Sequence, residues 1–451
     1  METGPLGESP IDHSPHSIPQ CPIGSDFEDL VCALYAAAGW YVSPNVRHLE
    51  GDNELMEIDL VATRWENGRF RKVLVEAKSG GWGWGQVLKL LGQGTLLAID
   101  STVFLTRECS NDIDPVRQRF ANRGCEIRVL GTSIPEIVGN FNEFSGTQIV
   151  WADVGFWWHV FKVRREVLKC INRAPVAHRG IASDIKEHKR LVDDGLFQHD
   201  TVLGRLQALR TGYEAKPDLT GQVAKALDLD PTTSSSSHFS DALYRIGDPL
   251  VDVAMFLETR SRLAMLAAVI EYLLTEDDPE DRDREVAALL GLPTSTYFTI
   301  SALRNRHEAH LYPVIWQRFV YEFGGLLIGE RLEHEYGLLA EQSGASVESV
   351  KTALGIWDDL FPSTGWIADY YSLRLLKLVP SPIQGLGALR RSQLYGTTHD
   401  GITYTSEITQ DPVSASFLKR VNNITYHRFE GRMCPADHLG SAAPPTTPIA
   451  H

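Results

Sequence analysis

The sequence predicts an α/β domain over about residues 25–148, a mixed central sheet flanked by helices, followed by a mostly α-helical region. Three observations carry this expectation. MEIDLVAT and RKVLVEAKS are apolar runs separated by RWENGRF, whose Asn67-Gly68 pair tolerates the positive φ of a type I′ hairpin turn. On either side of that hairpin, apolar residues recur at helical spacing. Beyond residue 241, long helical patterns such as SRLAMLAAVIEYLL and WQRFVYEFGGLLIGERLEHEYGLLAEQ replace the alternation of helix and strand.

In chain order, SDFEDLVCALYAAAGW sets Phe27, Leu30, Val31, Leu34, Tyr35 and Ala38 along one helical stripe, with Gly39 as a natural stop. After the hairpin come a helix across QVLKLLGQGTLLA, a strand STVFLTR, a helix DPVRQRFANRG, a strand CEIRVLG and a helix near IPEIVGNF. The expected order is therefore helix, three strands, helix, strand, helix, strand, helix. Residues 1–24, rich in Pro, Ser and Gly with no charged-then-apolar signal, read as a disordered lead-in. A helical connector is expected over 149–228, a Ser-rich linker over 229–240, an α-helical domain over 241–434 and a disordered tail over 435–451.

Composition bounds the possibilities. With 451 residues, 43% of them hydrophobic, the chain can bury two or three cores. The six cysteines, at 21, 32, 109, 125, 170 and 434, form no C-x-x-C pair and no regular framework, so neither a zinc site nor a disulfide scaffold is indicated. The longest apolar run, LAMLAAVIEYLL, falls short of the roughly 20 residues a bilayer span needs and contains Glu271. A soluble, cytoplasmic protein with no membrane partner is expected. Net charge is −15, and residues 25–145 carry 12 Lys plus Arg against 17 Asp plus Glu, whereas phosphate contacts favour a basic excess. Arg69, Arg71 and Lys72, or Arg117, Arg119 and Arg123, offer local clusters that could track a nucleic-acid backbone. Tight regulation, or a partner that delivers the substrate, would reconcile the remaining charge.

The hairpin holds the chemistry. With Asn67 and Gly68 as the loop, Asp59 faces Glu76 and Glu57 faces Lys78, all on one face because side chains alternate along a strand. Opposed carboxylates repel, and a divalent cation removes the conflict: Mg²⁺ takes one or two carboxylates plus waters and phosphate oxygens. The nearby lysine could orient or deprotonate a water, or stabilise developing charge. The alternative is an exposed hairpin face with ordinary solvated charges. In SGGWGWGQ, neither G-x-G-x-x-G nor a P-loop is spelled, so nucleotide binding is unsupported. Trp82 and Trp84 could stack on a base or pack over the sheet edge.

This order of elements, with "E-I-D-L-V-A … V-E-x-K" after a glutamate-bearing helix, resembles the PD-(D/E)xK restriction-endonuclease-like superfamily over about residues 25–145, closest to its Mrr-like and RecB-like branches. The resemblance implies Asp59 and Glu76 as metal ligands, with the Ala77 carbonyl beside them and Lys78 as catalytic lysine. Ile58 stands where the family name has proline, a departure that many members share. Glu28 matches a glutamate that several branches use as a further ligand, while Ser25 and Glu28 also spell a capping box. Gln86 and Lys89 lie where relatives carry supporting polar residues, or are solvated helix positions. The implied activity is a Mg²⁺- or Mn²⁺-dependent endonuclease hydrolysing phosphodiester bonds, DNA ahead of RNA, in a genome-defence setting such as antiviral restriction, as a homo-oligomer or with a partner protein.

Two rivals stay open. One is a nucleic-acid-binding or scaffold protein with an inactive nuclease fold. The other rests on SALRNRHEAH, which resembles the R-N…H motif of metal-independent HEPN ribonucleases through Arg304, Asn305, Arg306, His307 and His310. There, Arg306 and His310 share a helix face at i, i+4, whereas Arg304 and His310 do not.

Overall fold

In the hairpin, Asn67 (φ 53°) and Gly68 (φ 80°) take the left-handed conformations that the turn demands. They join β2 (Asn53–Glu66) to β3 (Arg69–Lys78), paired antiparallel from Leu60↔Val75 to Glu66↔Arg69, in the register expected from the sequence. The computed structural model describes residues 18–50, 53–99, 101–109, 113–149, 151–170, 249–275, 308–321, 327–328, 332–360 and 367–368, with residues 204, 207, 286 and 288. The sheet runs β1 (Tyr41–Glu50), β2, β3, β4 (Ser101–Thr106), β5 (Cys125–Val129). β1 and β2 pair antiparallel, whereas β3–β4 and β4–β5 are parallel. Each parallel step needs a crossover, supplied by α2 (Trp84–Leu96) and α3 (Asp114–Ala121). The mixed sheet with flanking helices is the expected one.

Two apolar layers hold it. On one face Leu60, Ala62, Val73, Val75, Val103 and Leu105 pack with Phe27, Leu30 and Leu34 of α1 (Ser25–Ala37) and with Ile137 and Phe141 of α4 (Ile134–Ser145). On the other, Val61, Leu74, Phe104 and Ile127 meet Val87 and Leu90 of α2 and Phe120 of α3. Each fully buried aliphatic or aromatic side chain contributes about 1.5–3 kcal/mol. Gly94 lets α2 lie close on β4, since a Cβ there would meet Thr102 Cγ2 at 2.3 Å.

The β1–β2 ribbon does not keep one face inward. Leu60 and Val42 belong to the first layer, but Ile58 and Val46, two and four residues away with the same strand parity, belong to the second. The ribbon turns over at Asn45, which has φ 49°, opposite Asp59. Pairing runs Pro44↔Leu60 and then Val46↔Ile58, leaving Asn45 and Asp59 out of the ladder.

The first layer continues past the sheet. α5 (Trp151–Cys170) lies on α1 with Val154, Trp157 and Phe161 buried, and Trp158 Nε1 donates to the Asp26 carbonyl at 3.1 Å. The described residues beyond α5 are mainly helical: α6 (Pro249–Thr275), a 3₁₀ turn at Ala309–Leu311, α7 (Tyr312–Tyr321), α8 (Leu332–Ser343) and α9 (Val347–Leu360), beside a two-residue parallel pair β6 (Leu327–Ile328) and β7 (Ile367–Ala368). Edge strand β1 is covered rather than open: Val42 N–H donates to Gln317 Oε1 of α7 at 2.9 Å, and Arg164 of α5 donates to the Pro44 carbonyl at 2.9 Å. Lys72 of β3 pairs with Glu271 of α6.

Among the described residues no helix is long and apolar enough to cross a membrane. Residues 1–17, nearly all of 171–248 with the Ser-rich linker, Arg304, Asn305, Arg306 and His307, and the tail over 435–451 lie outside the described residues.

Candidate active site

Asp59 sits where strand pairing gives way. Its partner on β1 is skipped, and the β2–β3 ladder stops one pair short, at Leu60↔Val75. The Ala77 amide of β3 is satisfied by the Asp59 side chain instead, donating to Oδ2 at 2.8 Å. Opening the ladder therefore costs no buried donor, and it points the Asp59 carboxylate at the C-terminal end of β3. There Lys78 Nζ lies 3.5 Å from Asp59 Oδ2 and 2.5 Å from Glu76 Oε1. The three side chains are 13%, 10% and 27% exposed for Asp59, Glu76 and Lys78, so they are largely shielded and do not form an ordinary solvated hairpin face.

The electrostatics follow from that crowding. Burial pushes the Glu76 carboxyl above the usual carboxylate range, the Asp59 charge adds to this, and the Lys78 hydrogen bond opposes it. Burial by itself would lower Lys78, but Asp59 and Glu76 outweigh it and the net shift is upward. The lysine is an ammonium at neutral pH, a hydrogen-bond donor and not a proton acceptor. Glu57 does not face Lys78 as the register alone suggests. It lies beyond the turnover at Asp59, half-exposed, and pairs with Arg47 across β1 at 3.3 Å.

Glu28 joins this neighbourhood by a route other than a capping box. Helix α1 already includes Ser25, its N-cap is Gly24 at φ 52°, and no side chain caps it. The Glu28 carboxylate is instead gripped by Arg165 of α5, whose Nη1 and Nη2 donate to Oε2 at 3.2 and 3.1 Å. The first turn of α1 is tied to the end of β3, Gly24 N–H donating to Ser79 Oγ at 2.7 Å. Burial raises the Glu28 carboxyl, the Asp59 charge raises it further, and Arg165 and then Lys78 pull it back.

The other sequence-predicted residues divide. Gln86 is spent at the start of α2, its Oε1 accepting from Gly83 N–H at 3.3 Å, so it is a helix cap. Lys89 is exposed on the same helix, near enough for its charge to lower Glu76. Buried Gln93, one turn further, donates to the Glu57 carbonyl at 3.5 Å and was not anticipated. Trp82 and Trp84 pack over the sheet: Trp82 lies 4.9 Å from Phe104, Trp84 stacks on Phe120 at 5.6 Å, and Trp82 Nε1 donates to the Glu108 carbonyl. Several cations offered for phosphate contacts have internal partners: Arg71 binds Glu66, Lys72 binds Glu271, and Arg117 donates to the Ile127 carbonyl. His310, far from the carboxylates in sequence, stacks on Trp65 at 5.8 Å and lines a cavity of about 110 Å³ with Tyr41, Arg64 and Phe70.

Like Gln93, Asn45, Arg164 and Arg165 are residues that sequence reasoning missed. Asn in VSPNVR, a residue type that tolerates positive φ, was the available signal for the turnover. No local signal marks the arginines, because they reach the site from a helix about 120 residues later in the chain than Asn45.

Two carboxylates that share an ammonium make a hard-oxygen set suited to Mg²⁺ or Mn²⁺, which need only one or two protein carboxylates with waters completing the shell. Among the described residues no group of three or more His, Cys, Asp or Glu side chains is arranged to hold an ion. No protein-family model, curated protein or solved structure matches this chain.

Proposed function

We propose that this chain is a Mg²⁺- or Mn²⁺-dependent nuclease that hydrolyses phosphodiester bonds, with DNA as the favoured substrate. The observation that carries this reading is the triad at the open end of the β2–β3 ladder, where Lys78 Nζ bridges Asp59 Oδ2 and Glu76 Oε1. A hairpin under selection for stability alone would fill those positions with ladder pairs. Here a carboxylate replaces the pair, and buried Glu76 and part-buried Asp59 are kept on one ammonium at the cost of a raised Glu76.

In this reading Asp59 and Glu76 hold the cation, with the Ala77 carbonyl available beside them. The bound ion would polarise a phosphoryl oxygen and lower the pKa of a coordinated water. Asp59 keeps its Oδ2 anchored on the Ala77 amide, which fixes the carboxylate against the strand. Lys78, held protonated by its two acids, stands ready to donate to a phosphate oxygen as negative charge builds there. Trp82 and Trp84 pack edge to face and, with α2, cover the second apolar layer of the sheet. A genome-defence role, and assembly with a second copy or a delivering partner, extend the same proposal.

The test is direct. Plasmid DNA, single-stranded DNA and RNA are incubated with the full chain, with Mg²⁺, Mn²⁺ or EDTA. Metal-dependent cleavage lost in Glu76→Gln supports the assignment. A full chain that binds DNA but cuts nothing under any metal would leave a binding protein with an inactive nuclease fold.

A further inference from the structure

The strand defect that frees Asp59 is held from outside the α/β core. At Asn45 the β1 backbone takes φ 49°, a left-handed conformation unfavourable for most L residues, and pairing skips from Pro44↔Leu60 to Val46↔Ile58. The register is the same on both sides, so a continuous strand would simply pair Asn45 with Asp59 and keep its parity. Arg164 of α5, only 2% exposed, donates to both residues of the turnover: Nη2 to the Pro44 carbonyl at 2.9 Å and Nη1 to Asn45 Oδ1 at 3.2 Å. Two residues earlier, the Val42 amide is held by Gln317 of α7 at 2.9 Å, so β1 enters the defect already anchored.

We infer that Arg164 is a positioning residue for the candidate active site: by clamping Pro44 and Asn45 it holds the turnover that takes Asp59 out of the ladder and onto the Ala77 amide. This rests on the nuclease reading above. The clamp matters to Asp59 because the two strands share the defect. Asn45 and Asp59 leave the ladder together, and Asp59 Oδ2 then accepts from Ala77 N–H at 2.8 Å and lies 3.5 Å from Lys78 Nζ. A guanidinium suits the task, since its rigid fork binds the main-chain oxygen of one residue and the side-chain oxygen of the next at once. Covering the edge of β1 does not by itself call for a buried charge, which is costly to desolvate; the neutral Gln317 covers Val42 without one. Arg164 thus acts on Asp59 through the backbone of β1 and β2.

The experiment uses the full chain and two readouts. One needs no metal: the amide proton resonance of Ala77, followed by NMR after selective isotope labelling of alanine. The other is Mn²⁺ affinity by electron paramagnetic resonance. In the wild-type background, Asp59→Asn exchanges a charged acceptor of the Ala77 amide for a neutral one and should move its resonance. In an Arg164→Met background the same substitution should leave the resonance nearly in place, because Asp59 has returned to the ladder. Arg164→Met should also weaken Mn²⁺ binding about tenfold or more, with Arg164→Lys between it and wild type. Arg164 also helps to hold the buried Asp29 carboxyl down, so its removal can unfold the chain. Two substitutions at half-buried Asn45 repeat the test without touching it. Asn45→Val resists positive φ and should mimic Arg164→Met, whereas Asn45→Gly adopts it freely and should restore part of the Mn²⁺ affinity lost in Arg164→Met. An Ala77 response to Asp59→Asn that is the same with and without Arg164, or equal Mn²⁺ affinity in Asn45→Val and Asn45→Gly, overturns the positioning role while leaving the nuclease reading standing. A wild-type chain that neither binds Mn²⁺ nor cuts overturns both.

Discussion

Replacing Asp59 by Asn or by Ala separates its two jobs. Both substitutions remove the negative charge beside Glu76 and Lys78. At an effective dielectric near 20, unit charges about 4 Å apart interact by ~4 kcal/mol. The lost repulsion with Glu76 and the lost attraction to Lys78 are thus of one size and opposite sign, and they enter both variants alike. The variants differ in one interaction. Asn retains a carbonyl oxygen for the Ala77 N–H, now 2.8 Å from Oδ2, whereas Ala leaves that amide without an acceptor at a residue 4% exposed. An unsatisfied buried amide costs about 1–3 kcal/mol, so Asp59→Ala should be less stable than Asp59→Asn by that amount.

In urea the difference should appear as a lower midpoint at unchanged slope, and in a thermal scan as roughly 2–4 °C per kcal/mol for a cooperative unit of 150–250 residues. Both variants should lose Mn²⁺ binding and DNA cleavage. Equal stability of the two would refute the claim that the aspartate replaces a ladder bond. Wild-type Mn²⁺ affinity in Asp59→Asn would refute its role as a ligand.

The remaining predictions concern three other side chains. Lys78→Met should bind Mn²⁺ at least as tightly as wild type, since the ammonium competes with a cation for Asp59 and Glu76, yet cut DNA at least 100-fold more slowly; a variant with near wild-type kcat would remove the lysine from the chemical step. Burial pushes Asp29 up to about 6 from an ordinary 3.8, so its contribution to stability is present below pH 4 and is lost as pH rises through about 6. Urea titrations from pH 4 to 7 should show that loss, about 3 kcal/mol, in wild type and not in Asp29→Asn, and identical pH profiles would contradict it. His310→Ala removes a ring stacked on Trp65 and should cost about 0.5–1.5 kcal/mol while leaving metal-dependent cleavage within a few-fold. RNA cleavage that persists in EDTA and vanishes in His310→Ala would instead place an enzyme in the helical half.

The core of the fold was legible because its signals are local. Asn67-Gly68 fixes a hairpin register by turn geometry alone, and the helical stripes of α1 and α2 name their own buried residues. The register brought Asp59, Glu76 and Lys78 together for the same reason. It misplaced Glu57 because a strand was assumed to keep its parity, while Asn45 breaks that parity with a positive φ and turns the ribbon over. Ser25 and Glu28 spelled a capping box that is not formed. Helix α1 starts one residue earlier than the motif assumes, and a tertiary partner, Arg165, takes the glutamate. Partners supplied by α5 and α7 depend on packing between distant segments, which periodicity does not encode.

The same turnover explains why the chemistry lies where it does. A regular ladder through residue 59 would bond the Ala77 amide to a backbone carbonyl and leave the aspartate merely one of an alternating row. By dropping Asn45 and Asp59 from the ladder, the chain frees a carboxylate at the strand ends, and the carboxylate covers the amide that it displaced. The resulting cluster sets Asp59 and Glu76 against Lys78, an excess of one negative charge. Such a site repels a phosphodiester as it stands. A divalent cation would reverse the sign of that local charge, so a chain of net charge −15 need not hold nucleic acid through a broad basic surface. In the proposed reading, attraction for the substrate is supplied at the reacting phosphate by the ion that also activates it.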